Sequence, residues 1–356
     1  MVTMQDVARR AGVSAMTVSN VVNERHYVRE ETRRKVSAAI EELGYTVNTT
    51  ARNLRQGRTG VIGLALSEID RPYFGRLSAL VVRRARQHGY EVVIEITGDR
   101  REGEMAAIQH SRLRSYDGLL LYASQLKADD SSLLRADYPI VLFGERTYTT
   151  PVDHVVVANA EGGALAARHL LERGCSRLAM VGGRWSDGDD ADVATARTQG
   201  FADALRDAGQ VLDPEAVRDT PYTLPASRDA VGSLLAVMPD VDGIFCATDW
   251  VALGVMRGLA DHGLRIPEDV KVIGFDDVEE AAFARPSLSS IAPDLVGMVD
   301  AALGLLVERV AGSRGADDYR EVVGGVQLRA RESTADERGP AIRAPEAGGD
   351  PHAGRR

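Results

Sequence analysis

Aromatic rings, carboxylates and arginine side chains recur directly after short apolar runs in the central part of the sequence. The segment Asp70–Phe74 follows one such run, Thr248–Trp250 follows a second, and Asp276-Asp277 follows a third. Aromatic faces stack on sugar rings or bases, while carboxylates and arginine make paired hydrogen bonds to vicinal hydroxyls or to anions. We therefore predict a small-molecule site formed by Arg71, Tyr73, Phe74, Arg197, Thr248, Asp249, Trp250 and Asp276.

Several of these residues also have a purely structural explanation. Packing between two lobes explains Tyr73 and Phe74 equally well, helix capping explains Asp249, and a solvated turn explains Asp277. Asp276 and Arg197 are the strongest ligand candidates. Because Arg71 and Arg197 are both cationic, an anionic effector such as a sugar acid or sugar phosphate is one hypothesis for the ligand.

The elements that must position this site are alternating strands and helices between residues 60 and 334. Such alternation is typical of doubly wound parallel sheets, in which ligands bind beyond the carboxyl ends of the strands. The span is too long for one such unit and the pattern resumes after Asn159, so we expect two α/β lobes with a cleft between them. The first lobe is predicted at about 60–159 and 291–320, and the second at about 160–290 and 321–334. The predicted strands are Val61–Leu66, Tyr90–Ile96, Gly118–Tyr122, Ile140–Phe143, Leu178–Val181, Gly243–Ala247 and Val270–Phe275.

The first sixty residues follow a different pattern, that of three short helices. Thr3 and Asp6 are typical of a helix start, Gly12 interrupts the pattern, and Ser14 can cap a second helix. A third helix follows and ends before Gly44. Two short helices around a glycine turn, followed by a third, indicate a helix-turn-helix domain.

The second helix of such a domain fits the major groove of DNA, with its first residues nearest the base edges. Ala15, Met16 and Asn20 then point to bases, while Ser14, Thr17 and Ser19 are suited to phosphate oxygens. The whole chain carries a net charge of −9, yet residues 1–60 hold ten Lys and Arg against six acidic residues. This basic end can grip a polyanion, and a three-helix domain that binds protein is the alternative.

The stretch from Met4 to Asn23, and the Thr32-Arg33 and Val36 run after it, resemble the opening of the LacI/GalR family of bacterial transcriptional regulators. The resemblance implies a DNA-binding domain over 1–47. It also implies a hinge helix over 48–58 that folds on binding and inserts Leu54 into the minor groove, with a plain linker as the alternative. Val47 stands where many members of the family have proline. Without the fixed φ of proline, the backbone at the entry to the hinge is less restricted. The predicted DNA contacts are Thr3, Ser14, Ala15, Met16, Thr17, Ser19, Asn20, Asn23, Asn48, Ala51, Arg52 and Leu54.

Residues 60–334 resemble the effector-binding core of the same family, which is itself similar to periplasmic sugar-binding proteins. The fold that we expect is an N-terminal all-α helix-turn-helix domain followed by a two-lobed, periplasmic-binding-protein-like α/β core. The resemblance implies effector contacts at Tyr73, Phe74, Arg197, Thr248 and Asp276. Departures from the family pattern leave the identity of the sugar or sugar derivative open, and they lie at Arg71, Glu145-Arg146, Ala158 and Thr248.

Motifs and composition narrow the class of protein further. An enzyme is disfavoured because the sequence lacks a strand-linked GxGxxG, a GxxxxGK[ST], an HExxH and a nucleophile elbow, so we predict no catalytic residue, cofactor or metal. Cys175 and Cys246 lie in apolar runs typical of buried, reduced thiols. No apolar run suits a membrane helix or a signal peptide, so we expect a cytoplasmic, nucleoid-associated protein.

The end of the chain bears on assembly. Residues 335–356 are rich in Ala, Gly, Pro and Arg without a leucine heptad, so we predict a disordered tail and a homodimer. Two protomers related by a two-fold axis match the half-sites of a palindromic operator in double-stranded DNA. The sequence therefore predicts a repressor controlled by a sugar-like effector, with an activator, or a ligand sensor without operator specificity, as the alternatives.

Overall fold

The computed structural model divides into two units, residues 1–60 and 61–356. The described residues are 2–22, 27–45, 58–113, 116–127, 130, 134, 138–144, 151–185, 192–315 and 317–336. Some predictions lie outside the described residues, namely those for the DNA contacts Asn23, Asn48, Ala51, Arg52 and Leu54, the hinge from 48 to 57, Glu145-Arg146 and the tail from 337 onward.

The smaller unit contains the three predicted helices, α1 (Met4–Ala11), α2 (Ala15–Val22) and α3 (Glu30–Leu43). The Thr3 hydroxyl accepts a hydrogen bond from the Asp6 backbone N–H, and the Asp6 carboxylate accepts one from the Thr3 N–H. This reciprocal pair satisfies two N–H groups that a helix start otherwise leaves unbonded. Val7, Val18 and Val36, one from each helix, are fully buried together.

The first lobe of the larger unit is built on a parallel sheet of six strands. These strands are β1 (Val61–Leu66), β2 (Glu91–Ile96), β3 (Gly118–Tyr122), β4 (Ile140–Phe143), β5 (Asp153–Val157) and β11 (Glu321–Gly324). Their order in the sheet is β11-β5-β4-β3-β1-β2. The helices that belong to this lobe are α4 (Pro72–Gln87), α5 (Arg101–Leu113) and α11 (Leu295–Val310).

The second lobe repeats this architecture with another sheet of six strands. These strands are β6 (Leu178–Val181), β7 (Val217–Arg218), β8 (Gly243–Cys246), β9 (Lys271–Phe275), β10 (Ser289–Pro293) and β12 (Val326–Arg329). Their order is β12-β10-β9-β8-β6-β7, and within this sheet the β10–β12 pair is antiparallel while the other pairs are parallel. Its helices are α6 (Asn159–Glu172), α7 (Val193–Asp207), α8 (Leu224–Val237), α9 (Asp249–Asp261) and the short α10 (Glu279–Phe283), with 3₁₀ turns at Pro214–Ala216 and Glu332–Thr334.

Near-continuous apolar strands place both sheets in the interior of their lobes. Every residue of β4, β6 and β8 is buried, as expected for parallel strands covered on both faces. Cys175 and Cys246 are buried free thiols, and burial raises the pKa of Cys175 to about 11. None of the helices in the described residues is long and apolar enough to cross a membrane.

The chain passes between the lobes three times, and two of the predicted boundaries need correction. Residues 291–293, predicted in the first lobe, belong to β10 of the second sheet. Residues 321–324, predicted in the second lobe, form β11 and pair with β5 of the first sheet. The reason is that strands as short as β10 and β11 carry too little hydrophobic patterning to show which sheet they join. Pairing with strands that are distant in the sequence decides it.

Candidate functional site

Several of the residues predicted to contact DNA lie at the start of α2. The Ser14 hydroxyl accepts a hydrogen bond of 3.1 Å from the Thr17 N–H and lies 2.9 Å from the Thr17 hydroxyl. Met16 projects from the same turn with 70% of its surface exposed. A helix start with hydroxyl groups and an exposed apolar side chain suits phosphate positioning together with contact to a base edge.

Tyr27 adds a contact that the sequence analysis did not predict. Its hydroxyl donates a 3.2 Å hydrogen bond to the Asn20 side-chain oxygen, which restrains the side chain predicted to read a base. The Tyr27 ring is itself 73% exposed. Tyr27 could have been identified from the sequence, because it is an aromatic residue shortly after the second helix in a domain that has few aromatic residues.

The predicted small-molecule site is a cavity of about 110 Å³ between the two lobes, called the inner cavity below. Seven of the eight predicted residues line it, namely Arg71, Tyr73, Phe74, Arg197, Thr248, Trp250 and Asp276. They come from both sheets, because the carboxyl ends of the parallel strands of each lobe face the cleft. Tyr122, Asn159 and Tyr222 also line this cavity but were not predicted.

Arg197 is the most constrained side chain of the inner cavity. It is 4% exposed, and its Nε donates a 2.7 Å hydrogen bond to the Asn159 side-chain oxygen while Nη1 donates to the Ala247 carbonyl. Its Nη2 lies 3.7 Å from Asp276 Oδ1, and its guanidinium carbon lies 3.4 Å from the centre of the Phe275 ring. The guanidinium plane is therefore held in one orientation before any ligand arrives.

Two glycines allow this arrangement by letting α6 and α7 touch. A Cβ atom on Gly200 would lie 1.9 Å from the Ala160 carbonyl oxygen, and one on Gly163 would lie 2.2 Å from the Arg197 carbonyl oxygen. The close crossing places Asn159, the first residue of α6, within hydrogen-bond reach of Arg197 on α7.

Asp276 follows β9 with a φ of 110°, in a region that non-glycine residues rarely adopt. Its backbone N–H donates a 2.9 Å hydrogen bond to the Ile291 carbonyl, which holds this conformation. Burial raises the pKa of the Asp276 carboxyl to about 7, and the Arg197 charge acts in the opposite direction. Asp276 thus accepts hydrogen bonds best above neutral pH.

The prediction for Asp249 is not matched by its position, because this residue lies in the core of the second lobe instead of on the cavity wall. It is fully buried, and its Oδ2 accepts a 2.9 Å hydrogen bond from the Val278 N–H. Thr248, and not Asp249, caps α9 by accepting a 3.1 Å hydrogen bond from the Val251 N–H. Asp249 therefore supports the loop that carries Asp276, and burial raises its pKa well above the ordinary value.

Arg71 and Arg197 do not form the cationic pair that suggested an anionic ligand. Both guanidinium nitrogens of Arg71 that contact Glu68 lie 2.7 Å from its carboxylate oxygens, in a bidentate pair. Arg197 faces Asp276. Each positive charge at the cavity thus has a carboxylate beside it, which removes the reason for preferring a sugar acid or phosphate.

Aromatic rings from both lobes enclose these polar groups. The Phe74 ring packs edge-on against Tyr73 at 5.4 Å and against Tyr122 at 5.0 Å between ring centres. The Tyr222 hydroxyl donates a 2.9 Å hydrogen bond to the Gly182 carbonyl, and burial raises the pKa of this hydroxyl. Tyr122 ends a predicted strand and could have been found by the same rule as Phe74, whereas Tyr222 follows a two-residue strand without a sequence signal.

Asp277 joins several elements and is not the solvated turn residue that was the alternative. Its carboxylate pairs with Arg331, and with Arg329 at 3.8 Å. Its carbonyl accepts a 2.8 Å hydrogen bond from Arg76 on α4 of the first lobe. The residue next to Asp276 therefore links the two lobes directly.

Two family models match this chain. The model described as bacterial regulatory proteins, lacI family, matches residues 3–48, and the one described as periplasmic binding protein-like domain matches residues 167–334. The transcriptional repressor PurR of Erwinia tasmaniensis is 31% identical over 325 residues, which cover 90% of this chain and 94% of that protein. The chain belongs to the LacI family.

Further LacI-family proteins resemble it over nearly its whole length. The ribose operon repressor of Haemophilus influenzae is 29% identical over 91% of this chain and 96% of its own length. The structure of the lac repressor dimer bound to operator and the anti-inducer ONPF matches with a TM-score of 0.77 and 27% identity, over 94% of this chain and 99% of that one. The complex of the transcriptional regulator CelR with cellobiose matches with a TM-score of 0.69 and 31% identity, over 94% and 100%.

These similarities confirm the predicted family, the fold class and the regulatory function. The chain is a DNA-binding transcriptional regulator of the repressor type with an effector-binding core. Repressors of the LacI family act as dimers on operator DNA and respond to small molecules.

Proposed function

We propose that this protein represses transcription by binding a palindromic operator as a homodimer, and that a neutral, hydroxyl-rich molecule in the inner cavity sets its affinity for that operator. The surface at the start of α2 supports the DNA-binding part. It combines the exposed Met16 with the hydroxyls of Ser14 and Thr17 and with Asn20, which Tyr27 restrains. The other proposed DNA contacts are Thr3, Ala15, Ser19, Asn23, Asn48, Ala51, Arg52 and Leu54.

The chemical class that we propose for the effector is supported by the Arg197–Asp276 pair, which lies among the aromatic side chains of the inner cavity. Such a pair offers donors and acceptors to vicinal hydroxyls, while rings such as Tyr73 and Phe74 supply faces for stacking. Because Arg71 is neutralised by Glu68, an added negative charge gains little at this site. We therefore propose a neutral saccharide. Its proposed contacts are Arg71, Tyr73, Phe74, Tyr122, Asn159, Arg197, Tyr222, Thr248, Trp250 and Asp276.

The domain organisation that we propose keeps the bounds expected from the sequence. Residues 1–47 bind DNA, 48–58 form the hinge and 60–334 form the effector core. The protein acts in the cytoplasm at the nucleoid and without catalysis, since its task is to couple two binding equilibria.

The test is operator selection from random DNA with the purified full-length protein, followed by fluorescence anisotropy on the selected site. Neutral sugars are added beside their phosphorylated and uronic forms. We expect a palindromic site whose affinity changes with a neutral sugar. A protein that selects no site would contradict the regulatory proposal, and a response to the anionic forms alone would contradict the neutral effector.

A pair of variants on α7 assigns the response to the inner cavity. Arg197→Gln removes the buried guanidinium, whereas Arg206→Gln removes an exposed one that pairs with Asp203 on the same helix. We expect operator binding to persist in both and the sugar response to vanish only in Arg197→Gln. Equal responses would show that the ligand binds elsewhere.

A further inference from the structure

A second, larger chamber of about 610 Å³ adjoins the inner cavity, and we call it the outer chamber. The two spaces share one wall, which is formed by Arg71, Phe74, Tyr122, Gly144, Val193 and Tyr222. The two spaces are therefore neighbours, and a ligand with two linked rings is the kind of molecule that contacts both.

The chemistry of the wall changes from one space to the other. Aromatic and aliphatic side chains dominate the inner cavity, while polar side chains from both lobes are added in the outer chamber. These additions include Asp99, Ser124 and Gln125 from the first lobe and Arg184, Asp192 and Asp219 from the second. An apolar face followed by a polar surround suits a chain of saccharide rings better than a single ring.

The polar wall on the first lobe is built on a buried carboxylate. Glu104 is fully buried and accepts hydrogen bonds of 2.8, 3.0 and 2.8 Å from the backbone N–H groups of Ser124, Gln125 and Leu126. The Ser124 hydroxyl lies 2.7 Å from Asp99 Oδ1 and 2.9 Å from Glu104 Oε1. Gln125 Nε2 donates a 3.2 Å hydrogen bond to the same Asp99 oxygen. Because a carboxylate accepts up to about four hydrogen bonds, Asp99 can accept further ones from a ligand.

The opposite wall is fixed in a similar way by one arginine and two carboxylates. Arg184 contacts both carboxylate oxygens of Asp219 at 2.9 and 3.2 Å, and its Nη1 donates a 3.0 Å bond to Asp192. Asp192 also accepts a 2.8 Å hydrogen bond from the Thr195 N–H at the start of α7. These groups need little reordering when a ligand binds.

The described lining of the outer chamber carries more carboxylates than guanidinium groups. Among the described residues that line it, three carboxylates, Asp99, Asp192 and Asp219, stand against two guanidinium groups, Arg71 and Arg184. An excess of acceptors favours ligands that donate hydrogen bonds through hydroxyl groups. We infer that the effector is a neutral saccharide of at least two rings, with one ring in the inner cavity and the next in the outer chamber. This inference rests on the proposed function.

Calorimetry on the full-length protein compares monosaccharides with the disaccharides that contain them, for example glucose with cellobiose, maltose and trehalose, and galactose with lactose. We expect one disaccharide to bind at least about tenfold more tightly than each of its component sugars, because two or more additional hydrogen bonds form in the outer chamber. The same disaccharide should change operator affinity in anisotropy measurements.

Ser124→Ala and Gln125→Ala remove polar groups of the outer chamber, and each should lower the affinity ratio of disaccharide to monosaccharide several-fold. Ser233→Ala, on the exposed side of α8, removes a hydroxyl that bonds the Ala230 carbonyl and should leave both affinities unchanged. A monosaccharide that binds as tightly as any disaccharide and controls operator binding would overturn the two-ring inference alone. Failure of every saccharide to bind or to change operator affinity would overturn the proposed effector class as well.

Discussion

Two carboxyl groups of the second lobe are buried close together but have different surroundings. Asp276 lies at the inner cavity beside Arg197, and Asp249 lies in the core with its Oδ2 bonded to the Val278 N–H. Burial raises the pKa of both, and the Asp276 charge raises the pKa of Asp249 further. The protonation state of Asp276 should therefore affect ligand binding at the inner cavity.

Effector affinity should rise with pH through neutrality. Burial raises the pKa of Asp276 to about 7, and Arg197, Asp249 and Tyr222 are ionisable groups that interact with it. Ligand hydroxyls donate to the charged form, so binding below pH 7 must release a proton. We expect affinity to increase about tenfold between about pH 6 and pH 8, measured by calorimetry in buffers of different ionisation enthalpy.

Asp276 should also make the stability of the free protein depend on pH, with the opposite trend to that of effector affinity. Because the folded pKa of Asp276 lies above the ordinary value of 3.8, the folded protein binds more protons than the unfolded chain between these values. Its contribution to the free energy of unfolding therefore falls as the pH rises from about 4 to about 7. Asp276→Asn should flatten both profiles, and a variant that retains the wild-type pH dependence would exclude Asp276 as the titrating group.

Substitutions at Asp249 separate its hydrogen bond from its charge. Asp249→Ala leaves the Val278 N–H without its acceptor and should lower the free energy of unfolding by about 1–3 kcal/mol in urea denaturation. Asp249→Asn keeps an oxygen acceptor and removes the cost of a buried charge, so at pH 8 it should be at least as stable as the wild type. A large loss of stability in the asparagine variant would show that the charge itself is required.

At the scale of elements, the crossing of α6 and α7 fixes the polar part of the inner cavity. Gly163 and Gly200 let the two backbones touch, and this contact brings Asn159 to Arg197. The same crossing packs Phe201 against Phe245 on β8 at 5.2 Å between ring centres. Core packing and ligand geometry therefore depend on the same two helices.

Gly200→Ala should separate the helices, because its Cβ meets the Ala160 carbonyl oxygen at 1.9 Å. We expect a loss of about 1–3 kcal/mol in the free energy of unfolding, together with weaker effector binding. Gly232→Ala on α8 is the matched control, since its Cβ would lie at an ordinary 3.6 Å from His262. That control should stabilise the protein by about 0.5–1 kcal/mol in the same denaturation experiment. Effector affinity that is equal in the two variants would contradict the role of the crossing.

At the scale of the whole molecule, charge is divided between the two functions. Residues 1–60 are basic although the whole chain has a net charge of −9. DNA binding by the basic end releases counterions from the phosphate backbone, whereas the cavity binds its ligand with charges that are already paired. The two binding reactions should therefore respond differently to salt.

Operator affinity should fall by roughly 10³- to 10⁵-fold between about 50 and 200 mM salt, as for about six to ten phosphate contacts. Effector affinity should change less than about twofold over the same range, because short-range contacts with a neutral ligand are weakly screened. Anisotropy and calorimetry in one salt series measure both. An effector affinity that falls steeply with salt would indicate an anionic ligand and contradict the neutral saccharide.

Local sequence patterns were enough to predict the three helices at the start of the chain, most of the strands and the edge of the cleft on which the ligand site is built. Apolar runs and turn residues are local signals, so β1, β3, β4 and β6 were predicted with their observed bounds. The rule that ligands bind at strand ends then located Tyr73, Phe74, Thr248, Trp250 and Asp276 at one cavity.

The hydrogen-bond and ion-pair partners of those groups become visible once the chain is folded. The pairing of Arg71 with Glu68, the burial of Asp249 under the Val278 loop and the placing of Tyr222 on the cavity wall carry no periodic signal. The sheet membership of β10 and β11 likewise depends on pairing with distant strands. Charge compensation and strand pairing are long-range properties, because each depends on residues that meet only after the chain has crossed between its lobes.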